Sequence, residues 1–183
     1  MGKVSYPSGY YVRFSPPSPV VLVTCISRDG RANIITIGMY MPISFDPPLL
    51  AIGVSPKRYS HSLIEETGEF VVNVPGRDLV DAAVLCGSVS GRVVDKFKEA
   101  KLTAIPASKV KPPLIAECIA HFECRVYDKF TAGDHTIFIG EVVAVSIEEK
   151  AVKENVLDVT KTQPISHRGR YYFTPSLFYE AKK

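Results

Sequence analysis

Long apolar runs are missing from this 183-residue chain. Its longest, residues 20–26 and 49–54, are strand-sized and fall well short of the roughly 20 residues a membrane-spanning helix needs. A membrane is therefore not an expected partner. Residues 1–19 contain no apolar segment of the secretory kind, so no secretory signal is expected. A strong excess of one charge is also absent. Lys and Arg number 22 against 19 Asp and Glu, and a net charge of +3 is too weak for phosphate-dominated association, so no nucleic-acid partner is expected. No CxxC pair occurs among Cys25, Cys86, Cys118 and Cys124. These cysteines read as small buried hydrophobes in a reduced, cytoplasmic setting. Cys118 and Cys124 are an even number apart in a strand-like segment and would share a face, but no His set accompanies them and no metal site is expected. GxGxxG and Walker motifs are missing, as is the strict βαβ alternation of a doubly wound sheet.

What is present describes a β-rich globule. Hydrophobic residues at 46% and charged residues at 22% exclude global disorder. The length suits a single domain over residues 1–183, with an N-terminal arm over 1–18 and a C-terminal tail from about 150. Val and Ile outnumber Leu, which favours strands. Residues 20–26 read as a first strand, Arg28-Asp29-Gly30 as a hairpin turn and 31–38 as the return strand. The proline-rich stretch 41–48 is expected to be a loop or bulge that cannot continue a ladder. Residues 49–54, apolar throughout, read as a strand buried on both faces. A polar turn at 55–62 leads to a helix ending near Thr67, with Ser62 and Glu65 at capping-box spacing and Gly68 as its stop. Residues 70–74 form another strand. Residues 78–86 form a helix capped by Asp78 and broken by Gly87 and Gly91, and 95–100 form one more helical turn.

Residues 101–113, with three prolines, read as an irregular connection. Beyond it, 115–128 is expected to be a long strand, with Ala116, Cys118, Ala120, Phe122, Cys124 and Val126 inward and Glu117, His121, Glu123 and Arg125 outward. Its partner is 136–147. The aromatic tail (Tyr171, Tyr172, Phe173, Phe178, Tyr179) calls for a covering surface on its own domain or on a second subunit. The expected fold class is mainly β with inserted short helices, an antiparallel barrel with Greek-key connections.

Four groups of residues carry candidate chemistry. In Ser55-Pro56-Lys57-Arg58-Tyr59-Ser60, two cations and two serine hydroxyls precede a helix start, and together they could cradle a phosphate. The same residues also suit an ordinary solvated turn. Asn33, Thr36 and Ser44 are small polar residues on apolar strands, able to read a heterocycle's edge or to bond neighbouring backbone. Asp134 beside His135 could orient an imidazole, although Gly133-Asp134-His135 also has turn composition. Asp95-Lys96-Phe97 reads as a solvated face with one buried ring.

These same positions resemble the flavin reductase-like family, which has the FMN-binding split-barrel fold and includes flavin reductases, ferric reductases and flavoredoxin-type proteins. The ordered matches are residues 19–24, Asp29-Gly30, Asn33, Thr36, 44–49, 55–60, 68–73, Asp95-Lys96-Phe97, Gly133-Asp134-His135, Gly140-Glu141-Val142 and Gly169-Arg170-Tyr171-Tyr172. The resemblance implies a homodimer with noncovalent FMN near the subunit interface. It implies that Asn33, Thr36, Ile37, Gly38, Met39, Tyr40 and Ser44 line the isoalloxazine. Ser55, Arg58 and Ser60 would hold the phosphate, with Lys57 and Tyr59 beside them. Lys96 and Phe97 would lie near the flavin, and His135 at the open face where a nicotinamide stacks. The segment from Ile37 to Met41 is more apolar than in many flavin reductases, so Met39 and Tyr40 could pack on the ring or shape access to it. The expected activity is hydride transfer from NAD(P)H to flavin, with electrons passed on to free flavin, ferric iron or a partner protein. The alternatives are a flavoredoxin-type carrier without its own NAD(P)H site, and a non-redox FMN-binding module.

Overall fold

The computed structural model describes residues 2–180. Seven strands form one sheet: β1 (Val21–Ile26), β2 (Ala32–Ile37), β3 (Tyr40–Phe45), β4 (Pro48–Val54), β5 (Glu69–Val74), β6 (Ala120–Ala132) and β7 (His135–Ile147). All pairings are antiparallel, in the order β2-β1-β5-β6-β7-β4-β3. The consecutive strands β2 and β3 therefore lie at opposite edges. The chain itself crosses between them at Gly38 and Met39, and the Gly53 amide donates to the Met39 carbonyl at 2.9 Å. This is the expected antiparallel split barrel.

One hydrophobic cluster fills the barrel, with Val21, Val23, Ile35, Ile52, Phe70 and Phe138 among its members. Leu63 and Ile64 of α1 (Tyr59–Thr67) also join it. A second cluster lies on the opposite face of β1 and β2, where Leu22 and Ile34 meet Ala83 and Cys86 of α2 (Val80–Ser88). β1 is therefore apolar at every position but Thr24, itself fully buried, because it is covered on both sides. The helical turn α3 (Lys96–Glu99) follows, and the Asp95 carboxylate caps it by accepting from the Lys98 amide at 3.2 Å.

Several expectations change in the folded chain. Residues 41–48, expected to be a loop or bulge that cannot continue a ladder, instead hold a paired strand over Tyr40–Phe45. It is an edge strand bonded only to β4, so Pro42 breaks no second ladder, and a bulge falls between Pro42 and Ser44. The helix α1 starts at Tyr59, and no capping box forms, because the Ser62 hydroxyl donates to the Tyr59 carbonyl. Gly68 ends it with φ of +68°. Asp78 does not cap α2, which has no side-chain cap, and Gly87 lies within its last turn. The long strand starts at Ala120, since Cys118 closes a turn onto the Ile115 carbonyl. Cys118 and Cys124 consequently enter different clusters and share no face.

The alternation expected for β6 also fails, because His121 and Glu123 are buried. The irregular segment 101–113 folds over the outer face of β5 and β6, and polar side chains there hold it. Glu123 accepts from the Ser108 amide at 2.9 Å and the Lys109 amide at 2.6 Å. Asn73 Oδ1 accepts from the Ile115 amide at 3.0 Å and from His121 Nδ1 at 2.9 Å, and Thr24 Oγ1 donates to the Pro113 carbonyl at 2.5 Å. The segment's own ladder is only two residues long, Ala104–Ile105 against Leu114–Ile115, so side chains supply further anchors.

After β7, the tail returns as β8 (Ser166–Arg168) and β9 (Tyr171–Phe173), with β8 paired to Ser18–Pro19. Tyr172 packs on the second cluster, while Phe178 and the arm residues Tyr6, Tyr10 and Phe14 are exposed. Among the described residues, no helix is long and apolar enough to cross a membrane.

Burial pushes His121 below its ordinary value of 6.5 against the opposing pull of Glu123 and Glu148. A histidine that resists protonation when folded binds fewer protons than its unfolded form, so its stabilisation is complete above pH 6.5 and is lost as pH falls through the lower folded value. Urea unfolding at about pH 7.5 and about pH 5.5 is expected to show a lower midpoint at the acid pH, and His121→Gln to reduce that difference.

Candidate functional site

The crossing from β2 to β3 forms the floor of a groove. A cavity of about 300 Å³ lies over residues 35–39, walled by Gly53, Val54, Ser55 and Arg58 on one side and by His167 and Arg168 of the tail on the other. His135 and the arm residues Val12 and Ser18 complete its rim. Two neighbouring hollows continue the groove. One, of about 270 Å³, lies between Thr36, Gly38, α2 and Tyr172, and the other, of about 300 Å³, lies along Met39, Tyr40 and Gly53. Volumes of this order suit a small organic ligand.

Close approach explains the two glycines at the crossing. A Cβ on Gly38 would lie 2.5 Å from His167 Nε2, and one on Gly53 would lie 2.9 Å from Met39 Sδ. The bare backbone at Gly38 lets the tail imidazole approach the cavity floor with its Nε2.

A smaller polar pocket of about 90 Å³ adjoins the groove through Ile35 and Arg58. The 55–60 turn forms one wall with Lys57, Arg58, Tyr59 and Ser60, and Gly87, Val89, Ser90 and Gly91 form the other. Arg58 is the backbone N-cap of α1, and no side chain caps that helix, so its first-turn amides open toward the turn. Asn33 lies at the pocket's base, 3% exposed, and its Nδ2 donates to Ser60 Oγ at 2.8 Å. Its Oδ1 is buried and has no partner among the described residues. A Cβ on Gly91 would fall 1.9 Å from that oxygen, so only glycine fits there.

Lys96 lies beneath the same pocket, 5% exposed. Its Nζ donates to the Ile34 carbonyl at 2.8 Å and the Cys86 carbonyl at 2.6 Å. Burial depresses its pKa, the Cys86 and Cys25 thiols oppose that, and Arg58 adds to it. Among the described residues, no carboxylate lines this pocket or the 300 Å³ cavity. The expected surface role of Lys96 is therefore corrected, because its long stem threads inward to two carbonyls.

His135 Nδ1 donates to Asp134 Oδ1 at 2.7 Å, which leaves Nε2 free at the cavity rim. That hydrogen bond holds the Asp134 carboxyl below its ordinary value. Burial pushes the Cys25 thiol up to about 12 and that of Cys86 to about 11, so both stay protonated and poorly nucleophilic.

The folded chain gathers Asn33, Thr36, Ile37, Gly38, Met39, Tyr40, Ser55, Lys57, Arg58, Tyr59, Ser60, Lys96 and His135 along the groove and its polar pocket. The Thr36 hydroxyl is already committed to the Ala83 carbonyl at 2.6 Å. Two expected residues lie elsewhere. Ser44 sits on β3 opposite Leu49, roughly 16 Å of extended strand beyond Met39, and Phe97 packs into the second hydrophobic cluster. Sequence reasoning did not place His167, Ser90 or Gly91 in the site. Gly91 was read only as a helix breaker, and His167 had no partner at recognisable spacing.

A larger cavity, about 610 Å³, shares no lining residue with this groove and lies between Arg77–Leu79 and residues 161–163. It mixes Glu117, Glu148 and Asp78 with Arg77, Lys150 and Lys161, and Glu148 pairs with Lys150 at 3.3 Å. Unlike the groove, it presents no single charge sign to a ligand.

Gly38→Ala is expected to drive His167 off the cavity floor and loosen the β8–β9 hairpin. Amide hydrogen exchange over residues 165–173 should speed up while exchange in β5 and β6 stays unchanged.

Comparison with known proteins agrees with this architecture. The model of a flavin reductase like domain matches residues 14–174. An NADH:riboflavin 5'-phosphate oxidoreductase from Streptomyces pristinaespiralis is 28% identical over 134 residues, 73% of each chain. Flavoredoxin of Desulfovibrio vulgaris (Miyazaki F) superposes with a TM-score of 0.88 at 26% identity, over 99% of this chain and 96% of that one. An FMN-binding protein from Thermus thermophilus gives 0.79 at 26% identity, over 100% and 98%.

Proposed function

The chain belongs to the flavin reductase-like family, and from that premise we propose that it is an FMN-binding oxidoreductase that takes hydride from NAD(P)H and passes electrons to free flavin, ferric iron or a partner protein. One observation carries the reading. A cavity with the volume of a small organic ligand adjoins a small polar pocket that holds three cations, a buried orphan acceptor and, among the described residues, no carboxylate. Those features suit a ligand with a flat ring at one end and a phosphate at the other. When bound, the flavin supplies the redox chemistry, while the protein supplies orientation and electrostatics.

Each part of the chain has a distinct task. Arg58, Lys57, Ser60 and the open amides of α1 would hold the phosphate, with Ser55 at the junction. Residues 36–40 would form the apolar bed for the ring, and Lys96 would place a buried positive charge beneath the site. His135, oriented by Asp134, would position the nicotinamide at the rim through its free nitrogen. The exposed arm and tail aromatics support a homodimer, because such rings are ordinarily covered. The likeness to flavoredoxin favours one further reading, a carrier reduced by a protein donor.

An anaerobic absorbance spectrum, followed after NADPH and then NADH, separates these readings. Bleaching of bound flavin by either nucleotide supports the reductase. A flavin that stays oxidised rejects it in favour of the protein-fed carrier, and a chain that takes up no FMN rejects both. His135→Ala is expected to slow bleaching on the order of tenfold without abolishing it, because positioning is lost and no obligatory proton donor is removed. Arg58→Ala is expected to weaken FMN binding roughly tenfold to a hundredfold, the worth of one charge-assisted hydrogen bond, as measured by flavin fluorescence titration.

A further inference from the structure

Cations and carboxylates are unevenly matched over the surface. Among the described residues, ion pairs join Arg28 to Glu66, Arg125 to Glu69, Lys129 to Glu65 and Lys150 to Glu148. None of them involves a cation at the groove. Lys57 and Arg58 face into the small pocket, and Arg168 lines the larger cavity, where its guanidinium donates to Ser18 Oγ at 3.1 Å and to the Pro16 carbonyl. The carboxylate of Asp134, beside the rim, is taken by the His135 ring.

Three further arginines stand at the mouth without lining any of its hollows. Arg13 follows the lining residue Val12, Arg92 follows Gly91, and Arg170 follows Gly169. All three are exposed. Each is held over a tyrosine: Arg13 at 4.4 Å from the Tyr10 ring, Arg92 at 4.7 Å from Tyr59 and Arg170 at 5.3 Å from Tyr171. Among the described residues, no other cation–π pair occurs. Ring contact restrains a long side chain, so a guanidinium held this way loses less freedom when an anion arrives.

The inward cations suffice for a small anion, and the three outer ones do not border the space such a ligand fills. They are presented to something larger. Apolar side chains stand exposed beside them: Phe14 next to Arg13, Val93 next to Arg92, and Tyr171 next to Arg170. Arginine among aromatic and aliphatic side chains is the composition of protein-interface anchors. A polynucleotide would need a longer cationic track than a net charge of +3 provides. A second copy docked mouth to mouth would set like charges together, so self-association through the aromatics leaves these arginines at its edge.

We propose that the rim of the groove is a docking surface for an acidic electron-carrier protein, anchored by Arg13, Arg92 and Arg170. The redox character of that partner rests on the flavin reading, which the inference deepens by naming the chemistry of the protein that meets the site. The surface itself rests on the charges and rings.

The test is the binding of two labelled acidic carriers, a plant-type ferredoxin and a flavodoxin, to the flavin-free and FMN-loaded chains, with basic cytochrome c as control. At least one acidic carrier should bind, more weakly by on the order of tenfold when salt rises from about 20 mM to about 300 mM, and cytochrome c should not. Arg13→Glu, Arg92→Glu and Arg170→Glu combined should slow association on the order of tenfold and leave FMN affinity unchanged. Arg28→Glu, Arg125→Glu and Lys150→Glu combined alter the net charge equally but at paired positions, and should slow it far less. A chain that binds neither acidic carrier overturns the proposal, as does equal slowing in the two triple variants. Pyrophosphate affinity that falls as far as carrier affinity in the rim variant overturns it in favour of a small-anion site. An oligothymidylate that binds more tightly than either carrier overturns it in favour of nucleic acid. FMN uptake and bleaching without carrier binding remove the surface and leave the flavin reading intact. Carrier binding by a chain that takes up no FMN upholds the surface and removes the flavin reading.

Discussion

The barrel closes because the chain passes from one edge of the sheet to the other within two residues. Ile37 ends β2 at one edge, Tyr40 begins β3 at the far edge, and Gly38 and Met39 bridge the gap. No ladder joins β2 to β3, so the seam stays open and a groove runs along it. Gly38 must lack a Cβ for His167 to approach, and Gly53 must lack one for Met39 to cross. Every wall of the site is referred to this crossing: the 55–60 turn leaves the end of β4, His135 begins β7, and the tail hairpin lies over Gly38.

Buried polar groups fall into two kinds here, and the difference separates architecture from function. On the outer face of β5 and β6, Asn73, His121 and Glu123 have hydrogen-bond partners and pin a proline-rich segment whose own ladder is only two residues long. In the small pocket, Asn33 keeps an orphan oxygen, and Lys96 keeps a charge that only carbonyl dipoles and thiols surround. An orphan group costs more than an unmade bond gains, so it persists where a ligand completes it. The thiols go the other way. Burial raises all four, and they behave as packing residues.

Much of the barrel was legible in local signals. Residues 20–26 read as a strand, 49–54 carried their own evidence of double-sided burial, Gly30 marked its hairpin and Gly68 its helix end. The cationic, hydroxyl-bearing character of the 55–60 turn was legible as well, since it is written in consecutive residues before a helix start. The misreadings share one cause. Pro42 was taken as a ladder breaker because strand prolines are harmful only when both edges pair, and only topology shows which edge is free. His121 and Glu123 were taken as solvent-facing because alternation reports polarity, not what lies above the polar face.

The sequence by itself determined the strand content, the turn chemistry and the cationic character of residues 55–60, because these depend on neighbours a few positions apart. Only the tertiary structure decided that Lys96 turns inward, that Gly91 makes room for Asn33, and that His167 lies over Gly38 across more than a hundred residues of chain. Such contacts depend on which surfaces meet after the sheet curls. Pairwise closeness of that kind leaves no periodicity along the chain from which it could be read.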